Sequence, residues 1–295
     1  MLSTVPPSGF LNIDKPVGIT SHDVVARCRK ILGTRKIGHA GTLDPQASGV
    51  LILCVGSATR LSEYAMASTK RYHATVHLGR ETTTYDTEGE IIAENAINHL
   101  DLPSIQAALQ PLSGEIAQLP PAFSAIKQDG KKLYELARAG KIVDPAPRRV
   151  ILHEIQVLDW QPPFLTLDIT CGAGTYIRSI AHDLGAALGV GGSLRDLRRT
   201  SSGAFQVENA ITLEALQTVE NPMICIIPPA LALSDWNQHI LDPEQIVALR
   251  QGKTIHRTSS EAEGELALGI DAQGQTIAVL QAVSGKWKPY KVLST

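Results

Sequence analysis

No stretch of this sequence holds the roughly 20 consecutive apolar residues that a membrane-spanning helix needs. The opening MLSTVPPSGF lacks the basic and apolar regions of a secretory signal, so the expected compartment is the cytoplasm. Cysteine is scarce. Cys28, Cys54, Cys171 and Cys225 stand far apart with no C-x-x-C pair. That spacing argues against a structural zinc site, and in a reducing compartment it makes the thiols small buried apolar residues. His73 and His77 are close in sequence, but their segment reads as a strand, where that spacing does not bring two imidazoles onto one metal. No metal is expected. The chain also lacks a marked excess of either charge. Its formal net charge is −2, so it is not a uniformly basic binder of nucleic acid. A basic face remains possible, because the distribution of charge matters more than its sum.

What is present is an ordinary globular composition, 43% apolar and 19% charged, in 295 residues, enough for one large domain or two smaller ones. Basic residues gather locally: Arg27 to Lys36, Lys127 to Lys141, Arg148 with Arg149, and Arg195 with Arg198 and Arg199. Acidic residues gather elsewhere, from Asp86 to Glu94 and from Glu261 to Glu265. Any one basic cluster reads better as solvated surface; their recurrence beside the motifs below favours a binding face.

Along the chain, GFLNIDKP reads as a strand ending at a proline. Thr20 or Ser21 can cap a helix through Leu32, with Gly33 as its stop. A polar, glycine-rich loop, GHAGTLDPQASG, leads into VLILCVG, a continuous apolar run suited to a central strand. Ser57 opens a second helix. KRYHATVHLG alternates, with Tyr72, Ala74, Val76 and Leu78 on one face. A helix near Ser104 to Leu109 follows. QLPPAFSAIKQDGKKLYELARAGK is rich in Pro, Gly and Lys, with one short helix inside, and looks like an excursion from the fold. RRVILHEIQVLDW and FLTLDITC are strands, and a helix runs from Tyr176 to Leu188. From about Trp236 the character changes to a short helix near Glu244 to Arg250 and short alternating strands, read as a separate β-rich domain. The mixture lacks a βαβ rhythm, so the expected class is α+β with a mixed, largely antiparallel sheet.

Two segments carry chemistry. In residues 38–49, three glycines and a proline specify a tight loop, and Pro45 restricts Asp44 to extended conformations. A carboxylate on so stiff a backbone, running into a strand, suits a nucleophile or general base. Capping a turn is the plainer alternative. In GAGTYIRSI, Arg178 falls in the first turn of its helix, where a cation opposes the helix dipole. An anionic partner would offset this, a phosphate or a carboxylate such as that of Asp44; a surface arginine paired with solvent is the equal alternative. The stretch lacks the lysine of a P-loop, which excludes nucleoside-triphosphate binding of that kind. Tyr72 is either a core tyrosine or a ring able to stack on a base. His39 can contact nucleic acid or simply sit in a turn, and Lys15 can hold a phosphate or be solvated.

Five blocks in one order then resemble the bacterial tRNA pseudouridine-55 synthase family: GFLNIDKPVGITSHDVV, KIGHAGTLDPQASGVL, KRYHATVHLGRETTTYDTEGE, QLPPAFSAIKQDGKKLYELARAG and GTYIRSIAHDLG. A weaker sixth, LRDLRRTSSGAF, follows, and the likeness covers roughly residues 9–207. The resemblance implies a catalytic domain over residues 1–234. It also implies an RNA-gripping thumb insertion at about 119–149 and a PUA-like RNA-binding domain over 235–295. It makes Asp44 the catalytic aspartate, Tyr72 and Arg178 its catalytic companions, and Tyr176 and Leu197 parts of the uridine pocket. His39 helps extrude the target base, and Lys15 contacts substrate. The implied substrate is the T arm of tRNA, handled by a monomer with no cofactor and no protein partner.

An Asp of ordinary pKa, about 3.9, is ionised at neutral pH, ready to assist at the sugar or at uracil C6. Two rival readings stay open. A non-catalytic tRNA-binding or chaperone module accounts for the basic clusters but not for the Asp loop. A glycoside hydrolase needs paired acids, and Asp86 is the nearest candidate for a second one.

Overall fold

The computed structural model describes residues 8–121, 127–128, 131–132, 145–257 and 261–293. In chain order its elements begin with β1 (Gly9–Lys15), α1 (Ser21–Ile31), β2 (Ile37–His39), β3 (Ala47–Val55), α2 (Ser62–Ala67) and β4 (Lys70–Leu78). There follow β5 (Arg80–Thr82), β6 (Ile91–Glu94), α3 (Leu102–Leu109), β7 (Gly114–Gln118), β8 (Lys127–Gln128) and β9 (Lys131–Lys132). Next come β10 (Arg148–Gln161), β11 (Phe164–Cys171), α4 (Ile177–Ala187), β12 (Gly192–Ser202), β13 (Phe205–Gln206), β14 (Ile211–Thr212), α5 (Leu213–Thr218) and α6 (Pro229–Ala232). The chain ends with β15 (Gln238–Ile240), α7 (Pro243–Arg250), β16 (Ile255–His256), β17 (Leu266–Ile270), β18 (Thr276–Val283) and β19 (Lys286–Val292). The expected class is met: α+β with mixed, largely antiparallel pairing. The helix expected inside the 119–149 insertion lies outside the described residues.

The chain divides into two compact units. One comprises Met1–Pro45, Gly49–Met66 and Ala204–Thr295; the other comprises Gln46–Ser48 and Ala67–Gly203. In the first unit β1 runs antiparallel to β3 and parallel to β14, and β2 adds to β3. Val50 to Val55 are fully buried, which explains why this strand reads as an unbroken apolar run rather than an alternation. Helix α1 starts where the sequence places it. The Thr20 hydroxyl accepts from the Asp23 N–H while the Asp23 carboxylate accepts from the Thr20 N–H, a reciprocal capping box. After β3 the chain first makes a tight 3-10 turn, Gly56–Leu61, and α2 begins only at Ser62.

The C-terminal β-rich stretch forms a sheet in the order β15-β17-β18-β19-β16. Strand β18 is buried on both faces. Ile277, Ala278 and Leu280 pack with Leu249 and Trp287 inside this stretch. Val279 turns the other way, into a cluster with Phe10, Val50, Ile52 and Phe205. Leu268, Val279 and Leu293 of this stretch therefore share a core cluster with Phe10 of β1 and Val50 and Ile52 of β3.

The second unit is an antiparallel sheet in the order β12-β4-β11-β10-β7, with the small β5-β6 ribbon beside it. Here the alternation is the one read from the sequence. Tyr72, Ala74, Val76 and Leu78 are buried, as are Leu165, Leu167, Ile169 and Cys171. Helix α4 buries Ile177, Ile180, Ala181 and Leu184, while Leu188 is half-buried at its end.

Candidate active site

Asp44 is half-buried in the segment between β2 and β3. The loop is shorter than its sequence suggests, because β2 takes in His39 and β3 begins at Ala47. Gly41 and Gly49 bracket it with φ of 100° and 96°, values that side chains rarely tolerate. Both neighbours of Asp44 are pinned. Leu43 donates its N–H to the Ser21 Oγ at 2.9 Å, and its carbonyl accepts from the same hydroxyl at 3.0 Å. The Pro45 carbonyl accepts from the Gly18 N–H at 2.8 Å and from the Lys15 Nζ at 3.1 Å. Ser21 and Lys15 are 2% and 0% exposed, so these bonds are shielded from competing water. The stiffness inferred from Pro45 thus has a second source in two buried polar side chains.

The Lys15 ammonium donates to three carbonyl oxygens, of Pro16 at 2.7 Å, Ile19 at 2.8 Å and Pro45 at 3.1 Å. With a side chain that is 0% exposed, these bonds brace the loop. His39 is half-buried, and its ring meets that of His22 edge-on at 5.5 Å.

The second unit gathers the remaining residues. Tyr72 on β4 stands opposite Arg199 on β12 and opposite Ile169 on β11. Leu197, half-buried, stands opposite Ala74, so Tyr72, Leu197 and Arg199 share one sheet face. Lys70, two residues before Tyr72, is also buried. Burial, then the charge of Arg199, lowers its pKa to about 8. The sequence reading grouped Arg195, Arg198 and Arg199 as one basic cluster. Alternation puts Arg198 and Arg199 on opposite faces, and Arg195 sits at an irregularity in the register between Leu194 and Asp196. Arg199 is 2% exposed, Arg198 donates to the Ser48 Oγ at 3.3 Å, and Arg195 lies 4.0 Å over the Phe164 ring.

Arg178 stands in the first turn of α4, as the sequence indicates, with its side chain 7% exposed. One carboxylate set against it is that of Asp86, Oδ2 at 3.3 Å, and the Thr84 carbonyl accepts from the same nitrogen at 3.2 Å. In the sequence Asp86 reads as the first of the 86–94 acidic cluster and as the candidate second acid of a hydrolase. Its other oxygen accepts from the Thr84 hydroxyl and from the Glu88 N–H, an Asx turn that the run TTTYDTEG encodes locally. Breaking so enclosed an ion pair from one side costs ~3–5 kcal/mol. The turn is braced further. Tyr85, held at φ 63°, stacks on His182 of α4 at 4.0 Å, and its carbonyl accepts from the Leu194 N–H. A hydrogen bond to Asp183 raises the His182 pKa.

Tyr176 is the residue before α4 and is half-buried. Its N–H donates to the Gln118 Oε1 at 2.7 Å and its carbonyl accepts from the Gln118 Nε2 at 2.9 Å. In the sequence Gln118 only opens the block QLPPAFSAIK, as a polar residue leading into Leu-Pro-Pro. The thiols of Cys28 and Cys54 are pushed up to about 12 by burial and that of Cys171 to about 11, so these cysteines are packing residues rather than nucleophiles.

Comparison with known proteins gives first the class. A solved chain from the structure of an H/ACA RNP bound to a substrate RNA containing 2′-deoxyuridine superposes with a TM-score of 0.74. It is 26% identical, covering 97% of this chain and 85% of that one. A chain from a Cbf5-Nop10-Gar1 complex gives the same score at 28% identity, with the same coverage. Two family models then match in succession. The first is that of the TruB family pseudouridylate synthase N-terminal domain, over residues 29–177. The second is that of the tRNA pseudouridylate synthase B C-terminal domain, over residues 178–223. The tRNA pseudouridine synthase B of Gloeobacter violaceus is 43% identical over 97% of this chain and 99% of its own length. The protein of the same name from Gloeothece citriformis is 45% identical over 93% of this chain and 83% of its own length. The chain belongs to the TruB family of pseudouridylate synthases.

Proposed function

We propose that this protein isomerises uridine to pseudouridine in tRNA, at position 55 of the T loop. The observation that carries the proposal is the family match. It spans residues 29–223 and so takes in His39, Asp44, Tyr72, Tyr176, Arg178 and Leu197.

The reaction breaks the N1–C1′ glycosidic bond, turns the uracil and joins C5 to C1′. The C5 proton is lost and N1 gains one, so atoms and charge balance with no cofactor and no metal. The target base must first leave its stack, at a cost of a few kcal/mol. His39 helps by occupying the vacated place. Asp44 supplies a carboxylate at the sugar or at uracil C6. Its immobilised neighbours Leu43 and Pro45 support that role, since a fixed charge loses little on reaching the transition state. Tyr72 stacks on the uracil and takes the C5 proton. Tyr176 and Leu197 shape the pocket. Arg178, held by Asp86, presents a fixed guanidinium to the reacting group. The insertion at about 119–149 grips the RNA, and residues 235–295 act as a PUA-like RNA-binding segment after a catalytic segment over 1–234. The enzyme works in the cytoplasm as a monomer with no protein partner.

The test is incubation with an unmodified tRNA transcript, followed by mapping of pseudouridine by position. Modification confined to the T loop is the expected result. A chain that binds the transcript and leaves every uridine unchanged would be a binding module instead.

A further inference from the structure

Three hydrogen bonds join the root of the 119–149 insertion to the start of α4. Two belong to Gln118, the last residue of β7, which is 1% exposed and takes both backbone groups of Tyr176. The third is donated by the Ser179 Oγ to the Leu119 carbonyl at 2.7 Å, and Ser179 is likewise 1% exposed. Arg178 lies between the two attachment points. The first turn of α4 has no side-chain cap of its own at Tyr176, so its entry geometry is set from outside the helix. One hydrogen bond fixes a distance; two from a planar amide to one peptide residue also fix its rotation. Beyond Leu119 come Pro120 and Pro121, a stiff exit that transmits displacement rather than absorbing it.

We propose that Gln118 is a positioning residue that sets Tyr176 and the first turn carrying Arg178, and that ties them to the insertion where the chain leaves the sheet. The inference rests on the reading that Tyr176 and Arg178 serve the uridine pocket. A side chain displaced by about 1 Å can lose on the order of 100-fold in rate. Loss of Gln118 should therefore fall on chemistry more than on tRNA affinity.

The test measures tRNA Kd and the single-turnover rate of pseudouridine formation at saturating enzyme, for wild type, Gln118→Leu and Gln118→Glu, across pH. Gln118→Leu should lose on the order of 10- to 100-fold in rate, with Kd changed by less than about threefold. Gln118→Glu supplies a finer readout. Its carboxylate can accept from the Tyr176 N–H but cannot donate to the Tyr176 carbonyl, whereas the protonated acid does both. Its rate relative to wild type should therefore rise as pH falls, and that of Gln118→Leu should not. A folded Gln118→Leu enzyme with the wild-type rate, or a loss confined to Kd, overturns the inference. If Gln118→Leu does not fold, a Gln118→Glu ratio independent of pH overturns it. Wild type that makes no pseudouridine sinks the underlying reading as well, which separates the two failures.

Discussion

Two aspartates stand in turns whose holding bonds fall at different places: on the carboxylate of one, on the flanking backbone of the other. Asp86 is fixed through its own carboxylate: one oxygen closes an Asx turn with Thr84 and Glu88, and the other faces Arg178. Asp44 is fixed through its neighbours, Leu43 by the Ser21 hydroxyl and Pro45 by Lys15 and Gly18. The first arrangement uses the acid as a structural counter-ion. The second immobilises the backbone on either side of the acid. A backbone fixed on both sides keeps a reacting carboxylate in place with little reorganisation as charge moves.

The largest effect that would sharpen this contrast is expected at Asp44. Asp44→Asn should lower the rate of pseudouridine formation on the order of 10⁴-fold or more, as loss of a reacting group does elsewhere, with tRNA binding retained in a gel-shift assay. A product yield near that of wild type would place both aspartates in the structural class. Asp86→Asn should cost on the order of 100-fold in rate, by releasing Arg178, and should also lower the melting temperature. If Asp86→Asn proves as severe as Asp44→Asn without loss of stability, the division of roles between them fails.

Lys15→Met tests the bracing of Pro45. Leaving buried carbonyls without their donor should destabilise the protein by about 1–3 kcal/mol in urea unfolding. The slope of log Kd for tRNA against log salt should stay unchanged. A phosphate contact would instead reduce that slope by about 1, and such a reduction would return Lys15 to the RNA.

The last effect concerns Lys70 and bears on stability alone. Its pKa is lowered from 10.5 to about 8 in the folded state, chiefly by burial. Between those values the unfolded chain binds more protons than the folded one, so this group makes stability rise with pH across that window. Unfolding of Lys70→Met measured from pH 7.5 to about 10 should show a shallower rise than wild type. An identical pH dependence would mean that Lys70 keeps an ordinary ammonium.

The sequence was legible where structure depends on residues a few positions apart. Thr20 and Asp23 cap α1 across three positions. The alternation of β4, the double burial of β3 and the tight loop around Asp44 follow from local pattern. Arg178 could be read as a cation that an anion would suit, from its position in the helix alone. That Asp86 is among its partners could not be read, and neither could the enclosure of Lys15 or the separation of Arg198 from Arg199. The Asx turn of Asp86 was encoded in TTTYDTEG and could have been found there, but nothing local shows which side chain the free oxygen faces.

The sequence by itself thus determined the elements, the stiff Asp44 loop and, through its ordered blocks, the family. Only the tertiary structure decided the partners of the buried polar groups. Lys15 meets a carbonyl 30 positions away, Gln118 a peptide 58 away and Arg178 a carboxylate 92 away. Burying a polar or charged group is unfavourable unless a partner satisfies it, and partners this distant in sequence exist only once the chain has folded.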